Sequence, residues 1–370
     1  MVKIVHIAKP IGGVGVYINL LCKHLKSNSF QNILLCNKED NLIEIKNVND
    51  SLINIYDVNL KREISIYNDF KCLLNIIKLI RKIQPELIHC HSAKAGILGR
   101  IAGAYLNIPT LYTPHAYSYL SAETKIKRIL FKKIEKIFKW FPAKTLACST
   151  SEYNRTINDL NFNSKKVLQW NNSIENNFDL VNINLKLPEN FICSIGRPSF
   201  QKNTQLLIKS IYQIKKTIPN IKLVILGVGH YSPDLKKIEE LIHNLDLTDN
   251  INLIPWLNRN ETISVLNMSL MYISTSRYEG LPYALIEAMA LSKACVVTNV
   301  DGNKDLVINN LNGFLTQQNS LDVASKTISI LKDDGLRKKM EQQSFNLYDQ
   351  KFNIKKNIIE LENKYMKILS

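Results

Sequence analysis

The sequence predicts an α/β protein of two doubly wound, Rossmann-like domains, each a parallel sheet with helices on both faces. Three observations carry that expectation. Short apolar runs alternate with longer segments of helical period, and strands that read as continuous apolar runs are those buried on both faces. The rhythm stops in a polar, Asn-rich stretch and restarts at "FICSIG" (191–196). The 370 residues also exceed what one hydrophobic core ordinarily organises.

In the first half the expected strands are "KIVHIA" (3–8), "NILLC" (32–36), "INIY" (53–56), "LIHC" (87–90), "TLYT" (110–113) and "TLACS" (145–149). Helices are expected from about Gly15 to Lys26, from about Tyr67 to Ile83, from about Lys94, and over 124–140. In the second half the strands are "FICSIG", "KLVILG" (222–227), "INLI" (251–254), "MYIST" (271–275) and "ACVVT" (294–298). The domains are therefore set at 1–172 and 189–352, with 173–188 as the linker. The last helix, about 353–369, has Ile354, Ile358, Leu361, Tyr365 and Leu369 on one stripe and must pack on something.

Composition narrows the class. Seven scattered cysteines without a CxxC pair read as small buried hydrophobes in a reducing compartment. No run of about 18 apolar residues could span a bilayer, and the first residues lack the apolar core of a signal peptide. The net charge of +16 is one-sided: residues 1–172 hold 25 Lys and Arg against 12 Asp and Glu. That excess calls for a polyanionic partner, which could be nucleic acid, an anionic membrane or a phosphorylated substrate.

In open parallel sheets ligands bind beyond the carboxyl ends of strands, which singles out three loops. "AKPIGGVGVY" (8–17) opens the first helix, and Gly12, Gly13 and Gly15 would let backbone N–H groups approach an anion there. "SIGRPSFQKN" (194–203) sets Arg197 and Lys202 in a strand-to-helix loop, where they could converge on one diphosphate. In "SRYEGLPYALIEAMA" (276–290), Pro282 is expected as the first residue of a helix, with Gly280 and Leu281 in the turn before it. Glu279 precedes that turn and Glu287 falls in the second helical turn. Read alone, the two glutamates are an electrostatic helix cap and a surface ion pair.

Taken together, the glycine loop, "GR" at 196–197 with Lys202, and "EGLPYALIEAMA" with its E-x7-E spacing resemble the family-4 glycosyltransferases. So do "HCHSAKAGILGRIAGAYLNIPTLYTPHAY" (89–117) and "VTNVDGNKDLVINNLNGFL" (297–315), so that the resemblance runs the length of the chain. It implies the GT-B fold: two Rossmann-like domains facing a cleft, with the C-terminal helix crossing back to the first. It implies a retaining, metal-independent transfer of a sugar from a nucleotide-diphosphate donor, a UDP-sugar, with no further cofactor. Arg197 and Lys202 would neutralise the diphosphate, Glu287 would accept from the ribose hydroxyls, and Glu279 would bind the transferred sugar. His115, matching a family histidine at a strand end, would face sugar and acceptor, and "IPWLNR" (254–259), with Trp256, would receive the base. The donor's identity would rest on the pocket around Glu279, Gly280 and Asp301–Asn303. No DxD motif occurs. His89 and His91 flank Cys90 on one side of a strand without metal-ligand company and are expected to be structural, with Ser92 and Lys94 as acceptor contacts.

The segment "TKIKRILFKKIEKIFKW" (124–140) carries seven Lys or Arg against one Glu beside an apolar stripe of Ile126, Ile129, Leu130, Ile134, Ile137 and Phe138. Its ordinary reading is a core-packed helix with a solvated charged face. Its functional reading is docking on an anionic membrane surface, which would place the protein in the cytoplasm at the inner face of the cell membrane. The acceptor would then be a polyprenyl-diphosphate-linked saccharide of a surface polysaccharide, capsule, O-antigen or lipopolysaccharide. A soluble sugar or sugar-phosphate acceptor is the alternative. Nucleic-acid binding rests on charge alone, without aromatic interleaving or an RNA-binding signature, and is set aside.

Overall fold

The structure, a computed structural model, describes residues 1–38, 44–61, 63–122, 124–229 and 232–370. The chain divides into two compact units, residues 1–172 with 354–370, and residues 173–353. The stretch 173–188 groups with the second unit and the last helix with the first.

In the first unit seven strands form one parallel sheet. They are β1 (Val2–Ile7), β2 (Phe30–Cys36), β3 (Asn54–Asp57), β4 (Leu87–His91), β5 (Thr110–Thr113), β6 (Lys144–Ala147) and β7 (Val167–Gln169). Their order, β3-β2-β1-β4-β5-β6-β7, reverses direction between β1 and β4, and such a switch point opens a crevice at the carboxyl ends of the strands. The helices are α1 (Gly13–His24), α2 (Ile66–Ile83), α3 (Ala93–Leu106), α4 (Lys125–Ile137), α5 (Thr150–Asn158) and, from the far end of the chain, α13 (Ile354–Leu369).

Alternation divides this sheet into two faces. Val5, Ile7, Ile33, Leu35, Ile88 and Cys90 share a core with Cys72, Ile76 and Ile80 of α2 and Ala95, Leu98 and Ala102 of α3. The other face carries Ile4, His6, Asn32, Leu34, His89 and His91, all buried. Tyr17 of α1 and Tyr365 of α13 lie against the histidines there. Ile354, Ile358, Leu361 and Tyr365 of α13 are buried as their spacing requires, and Glu362 accepts from the Lys26 amide at 3.0 Å and pairs with its ammonium at 3.3 Å.

The second unit repeats the plan with β8 (Ile192–Ile195), β9 (Leu223–Leu226), β10 (Ile251–Ile254), β11 (Met271–Ser274), β12 (Cys295–Thr298) and β13 (Gly313–Thr316), in the order β10-β9-β8-β11-β12-β13. Its helices are α6 (Thr204–Lys215), α7 (Leu235–Asn244), α8 (Arg259–Met268), α9 (Tyr283–Ala290), α10 (Asn303–Leu306), α11 (Ser320–Lys332) and α12 (Asp334–Lys351). α8 starts on a capping box in which Asn258 and Glu261 satisfy each other's backbone N–H groups. Strands β7 and β13 have no counterpart in the sequence expectations: β7 spans three residues, and β13 begins on the second residue of an Asn-Gly pair. All seven cysteines are buried thiols.

α4 departs from its ordinary sequence reading. Its one acidic residue, Glu135, is buried, whereas Ile126, Ile129, Leu130 and Ile137 are exposed. The cause is Arg100 of α3, whose guanidinium lies 3.9 Å over the Tyr112 ring and 3.8 Å over that of Phe138. Arg100 Nη2 meets Glu135 Oε2 at 3.0 Å, and the Tyr112 hydroxyl donates to Oε1 at 3.0 Å. A buried guanidinium needs a carboxylate, so the helix turns Glu135 inward and the isoleucines outward.

Glu135→Ala is expected to lower the stability of the first unit by roughly 3–5 kcal/mol, as removal of one member of a buried pair does. Replacing both partners, Arg100→Met with Glu135→Leu, should recover most of that loss in urea titrations. A loss below about 1 kcal/mol in the single variant would mean that the pair behaves like a surface one.

Candidate active site

In the second unit the carboxyl ends of β8 and β11 gather the residues singled out from the sequence. Gly196 follows β8 with φ +144°, and a Cβ there would lie 2.8 Å from Lys202 Cε, so the lysine stem packs directly over the glycine. Arg197 follows and is exposed. Lys202 Nζ reaches across to Glu279 Oε1 at 2.7 Å. The same carboxylate accepts from Ser276 Oγ at 2.7 Å and from Gln201 Nε2 at 3.0 Å. Gly302, at φ +81°, allows this packing, because a Cβ there would meet Glu279 Cβ at 2.8 Å. A buried carboxylate is tolerated when it is paired and its lone pairs are filled, and Glu279 meets both conditions.

The Gly-Leu-Pro turn leads into α9 with one correction. Pro282 has ψ 122° and is the N-cap residue, so the helix begins at Tyr283 rather than on the proline. The residue after the turn, not the proline, is the first to take helical angles, and Pro282 supplies no cap of its own. Leu281 is buried beneath the turn. Glu287, in the second helical turn, is also buried, and Arg259 Nη1 from the start of α8 meets it at 2.8 Å. Both glutamates are thus 7% exposed and each carries one cation. Trp256 is 75% exposed and stands 3.7 Å from the Cβ position of Gly227 at the end of β9. It is therefore not a packed core residue. Asp301 pairs with Lys304 at 2.9 Å beside Asn303, which is buried.

In the first unit, Gly12 turns into α1 with φ +58°, Gly13 is the first helical residue, and the Pro10 carbonyl lies 2.6 Å from a Cβ built on Gly15. His115 follows β5 with φ +53°, and Ala116 has φ +74°. Two successive non-glycine residues in that region are strained. Buried Glu152 holds them, accepting from the Ala116 amide at 2.8 Å and from the Cys148 amide at 2.9 Å. Ser92 opens α3 with φ 67°. Lys94 pairs with Asp69 at 2.6 Å and bonds the Glu63 carbonyl, so its charge is used within the unit.

The expectation that His89 and His91 lack company fails, since β1 pairs with β4 in the register His6↔His89. That pairing draws His6 in from 85 residues away. Ring nitrogens of His6, His89 and His91 lie within 4.8 Å of one another, close enough to be tested as metal ligands. The donor set does not favour an ion. His6 bonds Asn32 Oδ1 and His91, at 3.1 Å each. His91 Nδ1 meets His115 Nε2 at 3.2 Å, and His89 bonds both Tyr365 and Thr113 hydroxyls at 2.8 Å. Every ring nitrogen of the three already has a side-chain partner. Burial lowers the pKa of His6 to about 4 and that of His115 to about 3. His89 and His91 are also held well below the ordinary value, by burial first and then by neighbouring rings.

The profile "Glycosyltransferase Family 4" matches residues 11–178 and "Glycosyl transferases group 1" matches residues 176–346. The chain belongs to the family-4 glycosyltransferases. It is 29% identical to the Escherichia coli UDP-Gal:alpha-D-GlcNAc-diphosphoundecaprenol alpha-1,3-galactosyltransferase, over 92% of this chain and 90% of that one. It is 26% identical to the Staphylococcus aureus capsular polysaccharide biosynthesis glycosyltransferase CapM, over 87% of each. Among solved structures, it matches sucrose-phosphate synthase from Thermosynechococcus elongatus with a TM-score of 0.84 at 18% identity, over 100% of this chain and 99% of that one. It matches Anabaena HepE in complex with UDP and glucose with a TM-score of 0.80 at 15% identity, over 99% and 100%. Those two likenesses establish the GT-B fold of this glycosyltransferase.

Sequence reasoning missed Gln201, Ser276 and Arg259, which hold the two glutamates, and His6 and Asn32. His6 sits near the carboxyl end of β1, the same signal that marked His115. Gln201, Ser276 and Arg259 have no such mark, being ordinary polar residues until the fold brings the carboxylates to them.

The buried histidines of this glycosyltransferase carry a pH signature. Their folded pKa values lie below the unfolded value of 6.5, so the unfolded chain binds more protons as the pH falls past 6.5. Their contribution is fully present above that value and is lost on acidification towards about 4. The urea midpoint of the first unit is expected to fall between pH 7 and pH 5. A flat midpoint across that interval would mean that the rings are not held neutral.

Proposed function

We propose that this glycosyltransferase moves a hexose from a UDP-sugar, with retention and without a metal ion, to a saccharide on a polyprenyl diphosphate for a bacterial surface polysaccharide. The observation that carries the reading is the pair of buried glutamates flanking the α9 start, each held by a cation that an arriving donor can displace. In this reading Arg197 and Lys202 take the diphosphate, Glu287 the ribose hydroxyls, and Glu279 the transferred sugar. Trp256 shelters the base, the glycine turn at Gly12 and Gly13 adds backbone donors, and His115 contacts sugar and acceptor. The departing diphosphate receives the acceptor's proton, and its developing charge is stabilised by the arginine, the lysine and the helix start. The lipid-linked acceptor is supported by the E. coli relative, named for a diphosphoundecaprenol substrate.

Membrane docking from the cytoplasmic side completes the proposal. Among the described residues no helix is long and apolar enough to cross a membrane. Ile126, Ile129, Leu130, Ile137 and Trp140 stand exposed among the lysines of 124–140. On the same face of the sheet, α2 and the residues just before it expose Ile64, Ile66, Tyr67, Phe70 and Leu74. Apolar side chains set among basic ones suit an anionic lipid interface.

Glu279→Gln releases Lys202 from its ion pair, so UDP should bind as tightly as in the wild type or more so, while turnover drops by roughly a hundredfold. Lys202→Ala should weaken UDP by roughly tenfold or more, the scale of a lost charged hydrogen bond. Calorimetry with UDP and a turnover assay with UDP-sugars and a lipid-linked acceptor, in EDTA, test both. Two variants with wild-type turnover, or turnover abolished by EDTA and restored by a divalent ion, would contradict the assignment.

Ile126→Ser with Trp140→Ser should reduce sedimentation with vesicles containing phosphatidylglycerol while leaving UDP affinity unchanged. Equal binding to neutral and anionic vesicles at physiological salt would count against docking.

A further inference from the structure

We propose that Asn32 and His6 are positioning residues for His115, acting through a buried hydrogen-bonded line, Asn32–His6–His91–His115, that fixes the tautomer of the last ring. The inference rests on the reading of His115 as a substrate contact, and it concerns residues that reading does not use.

The line is continuous. Asn32 Oδ1 to His6 Nε2 is 3.1 Å, His6 Nδ1 to His91 Nε2 is 3.1 Å, and His91 Nδ1 to His115 Nε2 is 3.2 Å. His6 and His91 are fully buried and Asn32 nearly so. Its direction follows from donor counting. An amide oxygen only accepts, so the proton of His6 is on Nε2. A neutral imidazole has one N–H, so His6 Nδ1 must accept, and His91 Nε2 donates to it. By the same rule His91 Nδ1 accepts from His115 Nε2–H. The last ring is left with a bare Nδ1, which can only accept.

The counting holds only for neutral rings, and burial keeps all of them neutral at physiological pH. His89 lies beside the line but outside it. Its two partners, Thr113 and Tyr365, are hydroxyls, each able to donate or accept, so His89 imposes no direction. Tyr17 packs edge-on against His115 with centroids 4.6 Å apart and holds the ring plane. A substrate hydroxyl meeting His115 therefore has to donate its hydrogen to Nδ1, which orients its lone pairs away from the ring. Residues on β1, β2 and β4 thereby set the hydrogen-bonding sense of a side chain that follows β5.

The decisive measurement is long-range ¹H–¹⁵N correlation on ¹⁵N-histidine-labelled full-length protein, which reads each ring's tautomer. The wild type should show His6, His91 and His115 all as Nε2–H. Asn32→Leu removes the acceptor that sets the direction, and His115 should then populate both tautomers. In turnover, Asn32→Leu and His6→Phe should each lose roughly 2- to 10-fold in kcat/KM for acceptor, the scale of one misdirected hydrogen bond, with UDP affinity unchanged. An Nδ1–H tautomer at His115 in the wild type overturns the proposal. So does an unchanged Nε2–H tautomer in Asn32→Leu, or a stoichiometric metal ion whose removal rearranges the histidine signals. If His6→Phe fails to fold, the wild-type and Asn32→Leu spectra still decide. Absence of any glycosyl transfer by the wild type would sink the proposed function and leave the tautomer result to stand or fall by itself.

Discussion

A parallel sheet has no face it can leave to water, and most of this chain's organisation follows from that constraint. In the first unit α2, α3 and α4 belong to one side, and α1 alone would leave the other short of cover. The last helix closes the gap, bringing Ile358, Leu361 and Tyr365 from the far end of the chain onto the face that carries Ile4, Leu34 and the histidines. The same cover excludes water from the rings of His6, His89 and His91, which stay in such a place as neutral groups with their nitrogens paired. Coverage of the sheet and the polar line within it are therefore one structural fact.

The second unit shows the opposite use of burial. Glu279 and Glu287 are equally hidden, and each has a cation against it, Lys202 in one case and Arg259 in the other. Ser276 and Gln201 are also bonded to Glu279, so its carboxylate is satisfied by side chains of its own unit. A phosphate that attracts Lys202 leaves Glu279 in need of new donors, and the hydroxyls of a sugar are of the right kind. On the proposed reading, diphosphate binding and sugar binding are coupled through a single ion pair, and the two glutamates serve as hydroxyl acceptors rather than as an acid and a base.

Strand positions, the restart of the fold at Phe191 and the burial of the cysteines were legible in the sequence because each depends on local apolar pattern alone. The E-x7-E spacing and the Arg197–Lys202 loop are legible because both lie at predictable strand ends, and the structure brings Lys202 of that loop to Glu279. What was not legible depends on partners distant in sequence. Nothing in "KIVHIA" shows that His6 will face His91 until the β1–β4 register is known, and nothing near Arg259 shows that it will meet Glu287. β7 escaped notice because three residues are too few for a periodic signal. Pro282 reads from the sequence as the first helical residue and is the N-cap, a one-residue difference of the size expected at element boundaries.

α4 joins these themes. Its sequence suits either a core helix or an interfacial one, because the isoleucines and the lysines recur at the same spacing. Arg100 decides between them. Once a guanidinium is buried between Tyr112 and Phe138, the nearest carboxylate must come to it. That fixes the rotation of α4 about its axis, with Phe131, Ile134, Phe138 and Phe141 on the packed side. The other isoleucines are then forced outward beside the lysines. An exposed apolar row of this length is unfavourable in water and is retained where another phase covers it, so one buried ion pair accounts for the orientation of the surface through which membrane docking is proposed.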